Sequence, residues 1–118
     1  MKNVYNIRSL KFKKYGAPLS GSFVNNGHSM QFNPIDSSKQ IMRGGPLTKK
    51  NTYQFSQLHF HWGSNDSYGS EHTLDDFRYP LEMHMVHTNT KYAENASQAL
   101  ENKDGLAVVG RCDLKYCE

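Results

Sequence analysis

The most regular stretch of this sequence is Tyr53-Gln54-Phe55-Ser56-Gln57-Leu58-His59-Phe60-His61-Trp62. Side chains of a β-strand point alternately to its two faces, and this stretch alternates with period two along its whole length. We therefore predict a strand here, with Leu58, Phe60 and Trp62 facing a hydrophobic core. The opposite face would carry the odd-numbered residues, which are Tyr53, Phe55, Gln57, His59 and His61.

A second strand is predicted over residues 81–87, directly after Pro80, because proline is tolerated at the first position of a strand. Glu82, His84 and Val86 share one face of this strand. On the first strand, two histidines at alternate positions lie roughly 6–7 Å apart. If the two strands pair, His84 joins them and three imidazoles converge on one point.

Three neutral histidines with an open fourth position are typical of catalytic zinc, which lowers the pKa of a bound water to about 7. Gln57 and Glu82 share the faces of these histidines, and each would be placed to orient a ligand. Spacing alone leaves a second interpretation open. In that interpretation the histidines are ordinary surface or core residues, and Gln57 and Glu82 are ordinary polar strand residues.

Turn-forming residues interrupt the rest of the chain, and the apolar stretches between them are short, which predicts a β-rich fold with many loops. A length of 118 residues fits one domain. Further strands are predicted over residues 5–15, 20–24, 28–32 and 106–109, and a short helix over residues 91–100. Turns and loops are predicted at residues 25–27, 33–34, 44–46, 64–70 and 104–105.

Charge and hydropathy exclude two classes of partner. The net charge is only +3, from 14 basic and 11 acidic residues, which does not favour a nucleic-acid-binding protein. The short basic clusters Lys11-Phe12-Lys13-Lys14 and Lys49-Lys50 are interpreted as solvated surface. No apolar run reaches the length of a membrane span, and the first residues lack the apolar core of a signal peptide.

Two cysteines and two glycosylation sequons bear on where the protein resides. Cys112 and Cys117 could pair with each other, pair with other cysteines, or remain free thiols. Asn65 and Asn95 begin acceptor tripeptides for N-glycosylation, which favours a secreted protein.

Several segments of the chain resemble the α-carbonic anhydrase family, in the order in which that family has them. They include the segment of the first two zinc ligands, the family's Gly-Ser-Glu-His-Thr motif and the segment of the third ligand. They are residues 25–28, 44–47, 57–63, 69–73, 79–87 and 104–110. The resemblance implies a mainly β fold built on a large, twisted, mostly antiparallel central sheet with short helices and long loops.

The resemblance also implies a role for individual residues. It makes His59, His61 and His84 the ligands of Zn²⁺, with Gln57 and Glu82 as hydrogen-bond partners of ligating histidines. The remaining roles are a proton shuttle, a relay that orients the hydroxide, a structural histidine and an apolar pocket for carbon dioxide. His28 would be the shuttle and Glu71 the relay. His72 would be the structural histidine, and Val86 and Val108 would line the pocket. The implied reaction interconverts carbon dioxide and water with bicarbonate and a proton.

Two departures from the family pattern stand out. Thr88 occupies a position where the family usually has tryptophan. The threonine that links the zinc hydroxide to the glutamate matched by Glu71 would lie beyond Glu118. We therefore expect residues 1–118 to be the middle portion of a carbonic anhydrase domain, incomplete at the C-terminal side, and expect this segment not to fold alone.

The segment Tyr79 to Tyr92 is closest in style to nacrein-like proteins of the mollusc shell matrix. This similarity implies a secreted enzyme of the extracellular matrix that supplies bicarbonate for calcium carbonate growth. One alternative is a non-catalytic matrix protein that binds mineral or matrix proteins, but its longest acidic run would be Asp75-Asp76. Another is a zinc-binding β-domain without chemistry, in which His28 and Glu71 would have no use.

Overall fold

Antiparallel strand pairing organises the computed structural model, which describes residues 8–113. The described residues form nine strands, one α-helix and one 3-10 turn. The strands are β1 (Arg8–Lys13), β2 (Gly21–Asn25), β3 (Met30–Pro34), β4 (Ile41–Gly45), β5 (Tyr53–Trp62), β6 (Thr73–Leu74), β7 (Phe77–Arg78), β8 (Leu81–Asn89) and β9 (Leu106–Asp113). The 3-10 turn is Thr90–Tyr92 and the helix α1 is Ala96–Glu101. The predicted mainly β class is confirmed.

Seven of the strands form one sheet with β5 at its centre. Strand β8 pairs with β5 along its whole length, and β9 pairs with the other edge of β8. The second edge of β5 is shared by two strands, since β4 pairs near Tyr53 and β3 pairs near His59. Strand β1 lies outside β4, and β2 lies outside β3. The two predicted histidine strands are therefore direct neighbours.

A bulge at Ser56 makes one face prediction wrong. Phe55 is opposite His87, whereas Gln57 is opposite Val86, so the register shifts between them. Because directly opposite residues share a face, Phe55 and Gln57 lie on different faces. Tyr53 and Phe55 therefore share the face of Leu58 and Phe60, and only the stretch from Gln57 onward carries the predicted histidine face.

The hydrophobic core is small and sits on that apolar face. Among the described residues, the buried apolar ones are Met42, Tyr53, Phe55 and Ala99. Leu58 and Phe60 are half-buried, but Trp62 is 54% exposed, so the prediction that it faces a core is wrong within the described residues. Its place at the last position of β5, beside a polar loop, explains the exposure.

Glycine-rich and proline-rich stretches that predicted loops lie partly in strands. Gly44 and Gly45 end β4, and a Cβ atom on Gly44 would lie 2.3 Å from the carbonyl oxygen of Ser9. Glycine is needed here for close approach of β1 and for a φ of +93°, rather than for a loop. Pro34 is the last residue of β3, opposite Gly21 of β2.

Other predicted boundaries shift. The strand predicted over 5–15 spans 8–13, with its first three residues outside the described part, and that over 28–32 begins at Met30. The helix predicted over 91–100 divides into the 3-10 turn and α1. Strands β8 and β9 are longer than predicted, and the hairpin β6–β7 was not predicted. No helix among the described residues is long and apolar enough to cross a membrane.

Candidate metal centre

Strand register brings the three predicted ligands together. His59 is directly opposite His84, and His61 is opposite Glu82, so all four side chains share one face of the β5–β8 pair. One ring nitrogen from each of His59, His61 and His84 lies within 4.8 Å of the others. The Nε2 atoms of His59 and His61 are 3.1 Å apart.

Neighbouring side chains decide which ring nitrogens face this cluster. The Gln57 Oε1 atom lies 2.9 Å from His59 Nδ1, so Nδ1 carries the proton and donates it, and Nε2 keeps its lone pair. Glu82 Oε1 lies 2.7 Å from His84 Nε2, so His84 donates through Nε2 and its lone pair is on Nδ1. The two predicted orienting residues are therefore in contact with the histidines they were predicted to orient.

Glu82 is almost fully buried, with a relative exposure of 1%. Its Oε2 accepts from the His72 main-chain N–H at 2.9 Å, and its Oε1 accepts from His72 Nδ1 at 2.6 Å as well as from His84. Burial raises the pKa of Glu82, but these hydrogen bonds outweigh burial and lower the pKa to about 2. A carboxylate that stays ionised is a strong acceptor for the His84 ring.

Gly110 lies against this buried carboxylate from the neighbouring strand. It is directly opposite His84, and a Cβ atom at this position would lie 3.1 Å from Glu82 Oε1 and 3.5 Å from His84 Cδ2. Any larger side chain would therefore press on the Glu82–His84 hydrogen bond. Gly110 ends a segment that resembles the family, but its constraint comes from the strand beside it and is not visible in the chain's own pattern.

His72 lies next to the cluster but is not one of its three members. With Glu82 and His84 it forms a second group of side chains whose ligand atoms lie close together. The Glu82 oxygens of that group are already occupied by hydrogen bonds from His72 and His84. This arrangement agrees with the structural role predicted for His72, which remains a prediction.

Glu71 lies beside two of the three imidazoles. Its Oε1 is 3.4 Å from His61 Nδ1 and its Oε2 is 3.8 Å from His84 Nδ1, and the side chain is about half exposed. Burial and the neighbouring rings of His61 and His84 lower the pKa of His59, and Glu71 opposes them. A lowered pKa keeps the His59 ring neutral, which is the form that binds a metal.

These residues fit zinc. Zn–N bonds of about 2.0–2.1 Å in a tetrahedral site place two ligand nitrogens about 3.3 Å apart. The 3.1 Å between His59 Nε2 and His61 Nε2 is close to that separation. A set of three imidazoles, with no fourth protein ligand grouped with them among the described residues, is the donor set of a catalytic zinc site rather than a structural one.

His28, the predicted proton shuttle, lies in the exposed loop between β2 and β3. Its main-chain N–H donates to Asn26 Oδ1 at 2.9 Å, and Gly27 adopts a φ of +85° in the same turn. The loop is fixed to β5 by Ser29, whose Oγ accepts from the Phe60 main-chain N–H at 3.1 Å and donates to the Phe60 carbonyl oxygen. Phe60 separates His59 from His61 along the chain, so this serine, not singled out in the sequence, ties the His28 loop to the cluster strand.

Val86 and Val108 are directly opposite each other on β8 and β9. Val86 is opposite Gln57 on β5 and therefore lies on the histidine face, where it is half-buried, while Val108 is 53% exposed. Beyond them, Thr88 Oγ1 is hydrogen-bonded to Ser56 Oγ at 2.6 Å. The position that departs from the family pattern therefore has a polar partner created by the Ser56 bulge.

The sequon asparagines and Cys112 are not members of the histidine cluster. Asn65 and Asn95 are exposed, and each accepts a main-chain N–H through its side-chain oxygen, from Ser67 and Gln98 respectively. Cys112 is a half-buried free thiol opposite Glu82. Burial raises the pKa of this thiol, and the negative charge of Glu82 raises it further. Cys117 lies outside the described residues.

Comparison with known proteins gives one family. Residues 1–112 match the model of the eukaryotic-type carbonic anhydrases. The chain is 41% identical over 95 residues to carbonic anhydrase 1 of Oryctolagus cuniculus, covering 80% of this chain and 40% of that protein. It is 43% identical over 97 residues to carbonic anhydrase 1 of Mus musculus, covering 81% and 36%. It is 45% identical over 102 residues to a putative carbonic anhydrase 3 of Caenorhabditis elegans, covering 86% and 37%. The chain thus spans about two fifths of the length of these relatives.

Proposed function

The chain belongs to the eukaryotic-type carbonic anhydrase family, and on this premise we propose that its protein catalyses the zinc-dependent, reversible hydration of carbon dioxide. The observation that carries the proposal is the convergence of one ring nitrogen from each of His59, His61 and His84 within 4.8 Å of one another. Gln57 and Glu82 fix the ring protons of two of these histidines on the far side. Three ring nitrogens brought together in this way suit one zinc ion.

Bound zinc would supply a water-derived nucleophile near neutral pH. The side chains of this protein would perform the other tasks. His59, His61 and His84 would hold the metal as neutral ligands, and Glu82 would increase the basicity of the His84 ring through its buried hydrogen bond. Val86 and Val108 would offer apolar surface on the same face, which suits an uncharged, apolar substrate such as carbon dioxide.

The reaction releases a proton for each bicarbonate formed, and that proton must reach solvent. We assign this transfer to His28, since histidine titrates near neutral pH and the His28 loop is fixed to β5 through Ser29. Glu71 is assigned to orienting the attacking oxygen, because its carboxylate lies beside His61 and His84.

The first experiment follows proton release after rapid mixing of the full-length protein with carbon dioxide, with zinc present and after chelation. His84→Ala is compared with Leu100→Ala, an exposed position on α1. We expect zinc-dependent hydration in the wild type and in Leu100→Ala, and neither bound zinc nor hydration in His84→Ala. A folded, zinc-loaded wild type without hydration would overturn the proposal and favour a non-catalytic matrix protein.

His28 requires a separate experiment, because a shuttle differs from a ligand. His28→Ala should retain zinc but lose on the order of tenfold or more of the hydration rate in dilute buffer. Imidazole buffer should restore the rate, since it replaces the missing proton acceptor. Full activity of His28→Ala in dilute buffer would remove this residue from the mechanism.

We further propose that the enzyme is secreted into an extracellular matrix, where its bicarbonate supplies calcium carbonate growth. The similarity of residues 79–92 to nacrein-like proteins and the exposure of Asn65 and Asn95 support this setting. Protein isolated from the native tissue should carry glycans that a glycosidase removes, and Asn65→Gln with Asn95→Gln should abolish them. Unmodified asparagines in a protein retained inside cells would contradict this setting.

A further inference from the structure

Charge is distributed very unevenly along the chain. Nine of the fourteen Lys and Arg residues, but only one of the eleven acidic residues, lie in the first 53 positions. The modest net charge of +3 therefore conceals a strongly basic half and an acidic half. An asymmetry of this kind indicates a partner of opposite charge for the basic half.

Pairing of β1 with β4 gathers part of this charge on one surface. Lys11 is directly opposite Arg43, and Lys13 is opposite Ile41, so three cationic side chains share one face of the two-stranded edge. Like charges in directly opposite positions repel each other and destabilise the pairing. Among the described residues none of these three cations forms a salt bridge.

A cavity of about 470 Å³ lies on this surface. Its lining combines apolar side chains with cations and contains no acidic residue. The lining residues are Lys11, Phe12, Lys13, Ile41, Arg43 and Thr52. Strand β1 is also the last strand of the sheet at this end, so its outer main-chain groups have no neighbouring strand in the described part of the chain.

We propose that this edge binds an extended acidic polypeptide, which adds as a strand along β1 and places its carboxylates against Lys11, Lys13 and Arg43. Alternate residues of an extended chain are spaced about 6.6 Å apart, the same spacing that separates Lys11 from Lys13. The open edge supplies main-chain hydrogen bonds, and the cations supply selectivity. Lysines on an edge discourage pairing with neutral or basic strands, so acidic segments are favoured over other chains.

Such a partner would leave the histidine cluster open. Strand β4 meets β5 at Tyr53 and Gln54, whereas the cluster begins at His59, five residues further along β5. At about 3.3 Å per residue this is roughly 16 Å or more. The surface therefore serves to localise the protein beside acidic macromolecules, and binding should leave carbon dioxide hydration unchanged.

The test uses the full-length protein and a fluorescent ten-residue peptide of alternating Asp and Thr, with binding followed by anisotropy. One comparison peptide has Asn in place of each Asp, and another has a central proline. Lys11→Gln/Lys13→Gln is compared with Lys49→Gln/Lys50→Gln, which removes the same charge from exposed lysines that do not line the cavity. Heparin is titrated as a polyanion that cannot pair with a strand.

We expect the alternating Asp peptide to bind, with an affinity that falls as salt is added. Lys11→Gln/Lys13→Gln should weaken binding by about tenfold, and Lys49→Gln/Lys50→Gln by about twofold at most. The Asn and proline peptides should bind poorly. Equal losses in the two double variants, undiminished binding of the proline peptide, or binding of heparin in place of the peptide would each overturn the proposal.

Discussion

Two histidines on β8 lie three residues apart and have opposite environments. His84 shares a face with His59 and Glu82, and within residues 8–113 only one of its ring nitrogens is taken by a hydrogen bond. His87 is fully buried on the other face, where its Nδ1 donates to the Met85 carbonyl oxygen at 3.0 Å and its Nε2 accepts from the Tyr15 hydroxyl at 2.6 Å.

The two residues differ in how many ring nitrogens remain outside hydrogen bonds, and this number decides whether the histidine can bind a metal. His87 has both nitrogens in hydrogen bonds, and its ring packs near Tyr15 and Phe55. Burial lowers the pKa of His87 and raises that of Tyr15 to about 12, so the pair stays neutral. His84 keeps one lone pair facing two other imidazoles. The first residue serves stability and the second can serve chemistry.

The largest expected effect is the difference between the variants in which His84 or His87 is replaced by glutamine. His84→Gln should lose bound zinc and at least about a hundredfold of the hydration rate, because a metal ligand is removed. His87→Gln should keep one zinc per chain and most of the activity but unfold at a lower denaturant concentration. Metal content, hydration rate and urea unfolding would be measured for both. Loss of zinc in both variants would erase the distinction.

Glu82→Gln tests whether the hydrogen bond to His84 Nε2 is needed for the role of His84. The change removes the buried negative charge that receives hydrogen bonds from His84 and His72. Zinc affinity should fall by about 10–100-fold, as measured by competition with a chromophoric chelator. Glu101→Gln, at an exposed position at the end of α1, is the matched control. Equal affinities in the two variants would assign Glu82 to stability alone.

Tyr15→Phe tests the other side of the comparison. It removes the hydroxyl that donates to His87 Nε2 and leaves a buried acceptor without its partner. The free energy of unfolding should fall by about 1–3 kcal/mol, with zinc content and hydration unchanged. Tyr68→Phe, which removes a hydroxyl paired with exposed Ser64, should change stability far less. A drop in zinc content for Tyr15→Phe would show that the two faces are coupled.

The smallest expected effect is a pH dependence of stability. The pKa of His87 is below its ordinary value of 6.5 in the folded protein, so below pH 6.5 the unfolded chain binds a proton that the folded chain does not. Its stabilisation is therefore complete above pH 6.5 and decreases as the pH falls, by at most about 1.4 kcal/mol per pH unit.

The measurement compares urea unfolding of His84→Gln with that of His84→Gln/His87→Gln, so that metal release does not contribute. The double variant should have a shallower slope below pH 6.5. Both should share a further loss as the pH falls below 4.5, because the remaining hydrogen bonds from His72 still lower the pKa of Glu82 on folding. Identical slopes below pH 6.5 would contradict a buried, neutral His87.

Sequence periodicity predicted the two central strands and the shared face of Glu82, His84 and Val86, because alternation is a local property of an extended chain. It could not predict the Ser56 bulge, which moves Tyr53 and Phe55 to the apolar face, because a bulge is defined by the neighbouring strand. For the same reason it missed β4, whose glycines serve close approach to Ser9 rather than a loop.

The sequence by itself determined the donor set, which consists of three histidines together with Gln57 and Glu82. Its alternation also assigned each of these residues to one face of its strand. Only the tertiary structure decided that His59 is opposite His84, that Glu82 is buried against Gly110, and that His84 retains a lone pair while His87 does not. Donor chemistry belongs to a residue and can be read from the chain. Register, burial and the partner of each ring nitrogen depend on residues tens of positions away, and they exist only once the strands are paired.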